Sequence, residues 1–223
     1  MTKPNSTEIV FVLDRSGSMQ SIAEDMRGGF DSFITEQKKL PGECRVTLTQ
    51  FDNEYEIVYA GKPLAEVPKL ALIPRGDTAL YDAIGRTIVA TGERLAAMNE
   101  NDRPSKVIFV VITDGFENAS TEYHAGLIHA MITEQRYKYS WEFAFLGADQ
   151  NAIGVAKDLG VHPGNAVSYR GNSQGTKGLL RGLSAQIGHS RATGATFNYS
   201  QAVYDSYVTD TPDPSAAPPS QPK

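Results

Sequence analysis

The sequence predicts a doubly wound α/β fold, in which helices cover both faces of a mostly parallel β-sheet. Short apolar runs that are typical of buried strands alternate along the chain with longer segments whose apolar residues recur at helical spacing. The run 107–112 is apolar without any polar alternation, which is typical of a central parallel strand covered on both faces. We therefore expect three layers, α/β/α, and six strands in the order 3-2-1-4-5-6 with one antiparallel edge strand.

Periodicity and turn residues place the individual elements. The expected strands are residues 9–14, 45–52, 55–59, 106–114, 141–146 and 166–169. The expected helices are residues 19–39, 78–98, 121–137, 149–160 and a last one around 179–187. Ser18 or Ser21 is expected to cap the first helix and Asp149 the fourth, whereas the segment 190–207 shows no clear pattern.

Length and composition predict one domain with a short appendage. The chain has 223 residues and is 40 % hydrophobic, enough for one sizeable core. We expect a domain over residues 1–207 and a disordered tail rich in Pro, Ser and Ala over residues 208–223.

Charge and cysteine content limit the classes of partner and the cellular compartment that we expect for this protein. The formal net charge is −5, so we expect neither nucleic acid nor an anionic membrane as a partner. Cys44 is the single cysteine, and no apolar stretch reaches the roughly 18 residues that cross a bilayer or resembles a signal peptide. These observations predict a cytoplasmic protein, which we expect to be monomeric.

Three loops carry acids and hydroxyls at the expected ligand-binding edge. The first contains Asp14, Ser16 and Ser18, the second contains Thr78 at a helix start, and the third contains Asp114. In the expected strand order the first and fourth strands are neighbours at the point where the order reverses, and ligands of such sheets bind there. Asp14 and Asp114 would therefore face one crevice, although they are a hundred residues apart.

These motifs resemble the metal-ion-dependent adhesion site of von Willebrand factor A domains. The resemblance is carried by Asp14-x-Ser16-x-Ser18, Gly76-x-Thr78 and Thr113-Asp114-Gly115, and the pattern extends over residues 8–190. One short loop motif is weak evidence, but three loops at three suitable places in the fold are specific. The chain is most similar in organisation to bacterial single-domain members, which are associated with stress-resistance operons and ATPase partners.

The resemblance implies a role for each site residue. Ser16, Ser18 and Thr78 would bind Mg²⁺ or Mn²⁺ directly, Asp14 and Asp114 would hold it largely through waters, and an acidic side chain of a protein partner would complete the shell. Hard oxygen donors suit these ions, and neutral direct ligands leave the ion enough charge to attract an anion. Asp77 and Glu117 would add negative charge around the site.

Two other functions compete with a metal-dependent interaction module. A phosphohydrolase of the Asp-nucleophile class also binds Mg²⁺ after its first strand, but it needs a second acid two residues later, where this chain has Ser16. Serine-hydrolase and nucleotide-binding motifs are missing from the sequence as well, so we expect no enzymatic activity. The second alternative is a metal-independent scaffold of a stress-response or ATPase-associated complex.

Overall fold

Strands and helices alternate along the chain in the computed structural model, which describes residues 2–148 and 151–209. The strands in those ranges are β1 (Lys3–Asp14), β2 (Glu43–Phe51), β3 (Tyr55–Pro63), β4 (Pro104–Thr113), β5 (Glu142–Gly147) and β6 (Ala166–Ser168). The helices are α1 (Ala23–Lys38), α2 (Leu80–Ala97), α3 (Ala125–Tyr139), α4 (Ala152–Asp158), α5 (Ser173–Thr193) and α6 (Gln201–Thr209). None of these helices is long and apolar enough to span a bilayer.

The strands form one sheet in the order β3-β2-β1-β4-β5-β6, which confirms the predicted topology. All neighbouring pairs are parallel except β2 and β3, the antiparallel hairpin at the edge. Strand β1 lies between β2 and β4, so the strand order reverses beside it. This topology brings the ends of β1 and β4 side by side, each followed by a loop.

Two hydrophobic cores cover the two faces of the sheet, as a three-layer fold requires. Phe11 of β1 faces the core under α1, α5 and α6, and its ring lies 5.1 Å from that of Phe30 and 5.3 Å from that of Phe33. The neighbouring Val10 faces the other core, under α2, α3 and α4. Strict alternation along β1 therefore supplies both cores, because successive side chains of a strand point to opposite faces.

The first two helices begin later than the sequence predicts. The segment Gly17–Ser21 is a 3-10 turn, and α1 follows it with Ile22 at its N-cap and no side-chain cap, so the predicted caps Ser18 and Ser21 are wrong. Helix α2 likewise begins after Ala79, without a side-chain cap of its own. The hydroxyl of Ser18 is instead directed to the third loop, where it donates a hydrogen bond to Asp114.

Helix α3 begins at Ala125 instead of the predicted residue 121. The carboxylate of Asp82 accepts the N–H groups of Thr121, Glu122 and Tyr123 at 3.0, 3.0 and 2.8 Å. Asp82 belongs to the first turn of α2, so these hydrogen bonds attach the segment before Ala125 to α2, and this segment is not helical.

The C-terminal part contains a helix that the sequence pattern did not reveal. Helix α6 continues to Thr209, two residues past the predicted domain end at 207, and Val208 is buried against α5. Residues 210–223, which include most of the predicted tail, and the predicted cap Asp149 lie outside the described residues.

We expect Phe11→Ala to lower the free energy of unfolding by about 3–5 kcal/mol, because it leaves a cavity beneath the aromatic cluster. Phe116→Ala is the matched control, since Phe116 is 65 % exposed and its loss should change stability by less than about 0.5 kcal/mol. Urea denaturation followed by circular dichroism measures both. Equal effects of the two substitutions would contradict the assignment of Phe11 to the core.

Candidate functional site

The first loop follows β1 and is organised around the carboxylate of Asp14, which is fully buried. Its Oδ1 accepts the backbone N–H of Ser16 at 2.6 Å, and its Oδ2 accepts the hydroxyl of Thr113 at 2.6 Å. Thr113 is the last residue of β4. One carboxylate therefore ties the first loop to the third across two neighbouring strands.

Hydroxyls of the first loop reach the second acid. The Ser16 and Ser18 hydroxyl oxygens lie 3.1 Å apart, and Ser18 Oγ donates to Asp114 Oδ1 at 2.6 Å. Ser16 is buried, Ser18 is exposed and Asp114 is half-buried. The cluster thus has a buried floor and opens to solvent on the side of Ser18.

Gly115 shows how closely three hydroxyls approach one point. A Cβ atom built on Gly115 would lie 3.1 Å from Thr78 Oγ1, 3.4 Å from Ser18 Oγ and 3.9 Å from Ser16 Oγ. The first loop therefore directs two hydroxyls and the second loop one hydroxyl at a single small space beside the third loop. The missing side chain of Gly115 keeps that space open.

The structure brings all five predicted site residues to one edge of the sheet. Asp14, Ser16 and Ser18 follow β1, Thr78 precedes α2 and Asp114 follows β4. The hydrogen bonds and close approaches described above join them into one cluster. No member of the predicted set lies elsewhere in the molecule.

The second loop is held against the first by backbone hydrogen bonds. Gly17 N–H donates to Gly76 O at 3.1 Å, and Arg75 N–H donates to Arg15 O at 2.8 Å. Gly76 has a φ of +66°, and a Cβ there would lie 2.1 Å from Asn53 Oδ1. Both the backbone conformation and the lack of space therefore require glycine at this position.

A network of ion pairs that the sequence analysis missed supports the same loops. Arg15 is buried and pairs with Asp52 at 3.0 Å, and Arg75 pairs with the same Asp52 oxygen at 2.8 Å. Burial alone would raise the pKa of Asp52, but hydrogen bonds from Arg75 and from the Glu54 N–H, with the charge of Arg15, outweigh it and lower the pKa. No spacing in the sequence links these residues, because the hairpin at the sheet edge brings them together.

Glu117, which we expect to add negative charge around the site, also organises the backbone of the third loop and the start of α2. Its Oε2 accepts the N–H of Tyr81 at 3.0 Å, and its Oε1 accepts the N–H groups of Ala119 and Ser120 at 3.0 and 2.7 Å. Tyr81 lies in the first turn of α2. The third loop therefore supplies the cap that α2 lacks, and a carboxylate at a helix N-terminus is also favoured by the helix dipole.

Burial perturbs both acids of the site. Burial raises the pKa of Asp14 from its ordinary 3.8 to about 6, although hydrogen bonds from Thr113 and Ser16 oppose the shift, and the charge of Asp114 adds to it. Burial also raises the pKa of Asp114, against the hydrogen bond from Ser18. Two carboxylates held partly out of water without a compensating cation are expensive to ionise, and a divalent cation between the loops would relieve that cost.

The donor set fits Mg²⁺ or Mn²⁺. The space beside Gly115 is lined by three neutral hydroxyl oxygens, and the two carboxylates lie behind and beside them. Both oxygens of Asp14 already accept a hydrogen bond, which suits an acid that orients ligands and bound waters. An oxygen-only set of this kind is the type that hard divalent cations prefer.

The histidines and the remaining acids form no second metal cluster in the part of the chain that the structure describes. In the ranges 2–148 and 151–209, no group of three or more His, Cys, Asp or Glu side chains is arranged to hold a metal ion. His124 instead caps α3 by accepting the N–H of Leu127 at 3.3 Å, and His129 Nδ1 lies 2.9 Å from the carbonyl oxygen of Asp158. Both histidines therefore form hydrogen bonds within the fold.

Comparison with solved structures shows a von Willebrand factor A-like fold. A von Willebrand factor type A protein from Catenulispora acidiphila superposes with a TM-score of 0.55 at 15 % identity, over 81 % of this chain and 42 % of that one. A mutant of the PilB minor pilin from Streptococcus sanguinis gives a TM-score of 0.58 at 12 % identity, over 93 % and 64 %. Proximal thread matrix protein 1 from the mussel byssus gives 0.56 at 14 % identity, over 80 % and 45 %.

These similarities concern the fold. The chain spans between 42 % and 64 % of the length of the three solved chains. No protein-family model matches the sequence, and a search of curated proteins finds no match.

In the metal-free protein we expect Asp14 to make stability fall as pH rises from about 4 to about 6. The folded state binds a proton at Asp14 throughout that window whereas the unfolded state has released it, so the free energy of unfolding decreases by up to roughly 3 kcal/mol. Asp52 and Asp82 act in the opposite direction, because folding lowers their pKa values from the ordinary 3.8. The stability that they contribute is present above that value and is lost as pH falls through the lowered pKa values.

Chemical denaturation of the wild type and of Asp14→Asn, with chelator present, isolates this contribution. The difference in stability between wild type and variant should decrease with rising pH across the window. Asp77→Asn, which removes an exposed carboxylate of the second loop, is the control and should leave the pH profile unchanged. A difference between wild type and Asp14→Asn that does not vary with pH would contradict the raised pKa.

Proposed function

We propose that this protein is an interaction module that binds an acidic side chain of a partner protein through a divalent cation. Ser16, Ser18 and Thr78 would bind Mg²⁺ or Mn²⁺ directly through their hydroxyls. Asp14 and Asp114 would hold the ion through waters and orient the hydroxyls. The observation that carries the proposal is the convergence of three hydroxyl oxygens on the space that Gly115 leaves open.

The electrostatics of the cluster support a switchable affinity for carboxylates. Without a cation, the crevice presents Asp14 and Asp114 and repels a carboxylate of a partner. The bound cation supplies the missing positive charge, and because its direct protein ligands are neutral, it keeps charge for an external anion. The exposed position of Ser18 leaves the approach from solvent open.

The proposal does not include catalysis. The phosphohydrolase class needs an acid two residues after its nucleophile, and that position here holds Ser16, whose N–H and hydroxyl both serve the loop geometry. Release of phosphate from a generic phosphomonoester that disappears in Asp14→Asn would favour the phosphohydrolase instead.

One observation favours the metal-independent scaffold as a second candidate. A groove with a volume of about 940 Å³ opens between α1 and α5, and its lining includes none of the five site residues. Binding of a partner there would not need a cation. The dependence of partner binding on chelator therefore separates the two candidates.

We expect the double substitution Ser16→Ala with Ser18→Ala to abolish Mg²⁺ and Mn²⁺ binding in calorimetry, because it removes two of three direct ligands. Ser21→Ala is the matched control, since Ser21 is exposed in the same 3-10 turn and belongs to no loop contact of the site. Partners captured by the wild type should be lost with chelator and with the double variant. Capture that survives both would support the scaffold.

Gly115→Ala tests whether the open space holds the ion. The new methyl group would press on Thr78 Oγ1 at 3.1 Å and occupy the space between the hydroxyls, so we expect loss of Mg²⁺ binding with the fold retained. Gly92→Ala is the control, because a Cβ there meets nothing within 4 Å and should stabilise α2 by about 0.5–1 kcal/mol. Unchanged Mg²⁺ affinity in Gly115→Ala would place the ion elsewhere.

A further inference from the structure

Tyr169 is a buried side chain beside the carboxyl ends of the strands. It follows β6 directly, and its N–H donates to Gly147 O at 2.9 Å. Ala148, which follows Gly147 in the chain, donates its N–H to Thr113 O at 3.0 Å. Two hydrogen bonds thus connect Tyr169 with the end of β4, where Asp114 begins the third loop, and Tyr169 is only 2 % exposed.

The hydroxyl of Tyr169 has no hydrogen-bond partner among the described residues, although it is fully buried. An unpaired buried hydroxyl costs about 1–3 kcal/mol, so such groups are rare in folded proteins and call for a structural or functional explanation. Burial raises the pKa of Tyr169 well above its ordinary value, and the charges of Asp114 and Asp14 raise it further. Tyr169 follows β6 as Asp14 and Asp114 end or follow β1 and β4, so all three residues lie at the carboxyl edge of the sheet.

The other buried tyrosines differ from Tyr169 either in having a hydrogen-bonded hydroxyl or in the acid that lies near them. Tyr204 Oη accepts the N–H of Arg170 at 2.8 Å, and Tyr199 Oη donates to Leu179 O at 2.7 Å. The Tyr59 hydroxyl is also unpaired, but the acid that acts on it is Asp31, on α1. Tyr59 is therefore a matched control for an unpaired hydroxyl away from the metal-site cluster.

We infer that Tyr169 is a positioning residue of the cation site, whose hydroxyl donates a hydrogen bond to a water held by Asp14 and Asp114 when the site is loaded. The inference rests on the proposed function. A water is the expected acceptor because both oxygens of Asp14 and one oxygen of Asp114 already accept hydrogen bonds. The phenol stays protonated, so it always has a proton to donate to water that the acids hold.

This role explains why the fold retains a buried tyrosine hydroxyl that is otherwise destabilising. The Tyr169 hydroxyl has no hydrogen-bond partner among the described residues, and burial raises the pKa values of both acids. A cation that binds with its waters would give the Tyr169 hydroxyl a hydrogen-bond acceptor and would compensate the charges of the two acids. Hydrogen-bond partners behind the direct ligands of a metal typically change its affinity by about 10–100-fold.

The test compares Mg²⁺ binding by calorimetry in the wild type, Tyr169→Phe and Tyr59→Phe. We expect Tyr169→Phe to weaken Mg²⁺ binding by about 10-fold or more and Tyr59→Phe to leave it unchanged. Both variants should be at least as stable as the wild type in the presence of chelator, because each removes only an unpaired buried hydroxyl. That second measurement separates a lost hydrogen bond to the site from a damaged fold.

A spectroscopic readout on the wild type completes the test. With ¹³C at the Cζ atoms, the ten tyrosines give separate reporters of phenol hydrogen bonding, and the Tyr169 signal is assigned by its loss in Tyr169→Phe. We expect this signal to shift on addition of Mg²⁺ while that of Tyr59 does not. Equal Mg²⁺ affinity in wild type and Tyr169→Phe, or an unshifted Tyr169 signal in a wild type that binds Mg²⁺, overturns the inference alone. No Mg²⁺ binding by the wild type overturns the proposed function itself.

Discussion

The carboxylate of Asp14 lies beneath the first and third loops and accepts one hydrogen bond from each, and the rest of the site is arranged around it. Its two partners, the Ser16 N–H and the Thr113 hydroxyl, hold it in one orientation at 2.6 Å each. Complete burial makes this acid costly to ionise, as its pKa of about 6 indicates. The protein thus keeps an acid that is costly to ionise at the place where the strand order reverses, between the parallel strands β1 and β4.

Such a cost is typical of a functional site and is offset elsewhere in the same loops. The ion pairs of Arg15 and Arg75 with Asp52 hold the first two loops against the edge hairpin. Glu117 and Asp82 satisfy the N–H groups at the start of α2 and along the third loop. These interactions fix the loops in place, and loops that are held in this way lose less conformational entropy when a ligand binds.

The strand positions could be predicted from the sequence because one physical rule, burial, determines their pattern. The helix starts could not, because they depend on hydrogen bonds between segments that are distant in sequence. Apolar alternation placed the strands, because burial of the sheet on both faces leaves little choice of pattern. The helix starts were wrong because Ser18 forms a hydrogen bond with Asp114 in place of its own helix, and because the third loop caps α2 through Glu117. Helix α6 was missed because its apolar residues cover α5, and a short segment gives little periodicity of its own.

The sequence by itself determined the layer architecture, the strand order and the identity of the five residues that meet at the carboxyl edge. Periodicity and right-handed connections between parallel strands allow few alternatives, so the ends of β1 and β4 had to be neighbours. Only the tertiary structure decided that the three hydroxyls share the space beside Gly115, that Glu117 caps α2, and that the Tyr169 hydroxyl is left unpaired near both acids. The physical reason is that hydrogen bonds act over about 3 Å, and the sequence does not specify which of several nearby donors and acceptors come within that distance.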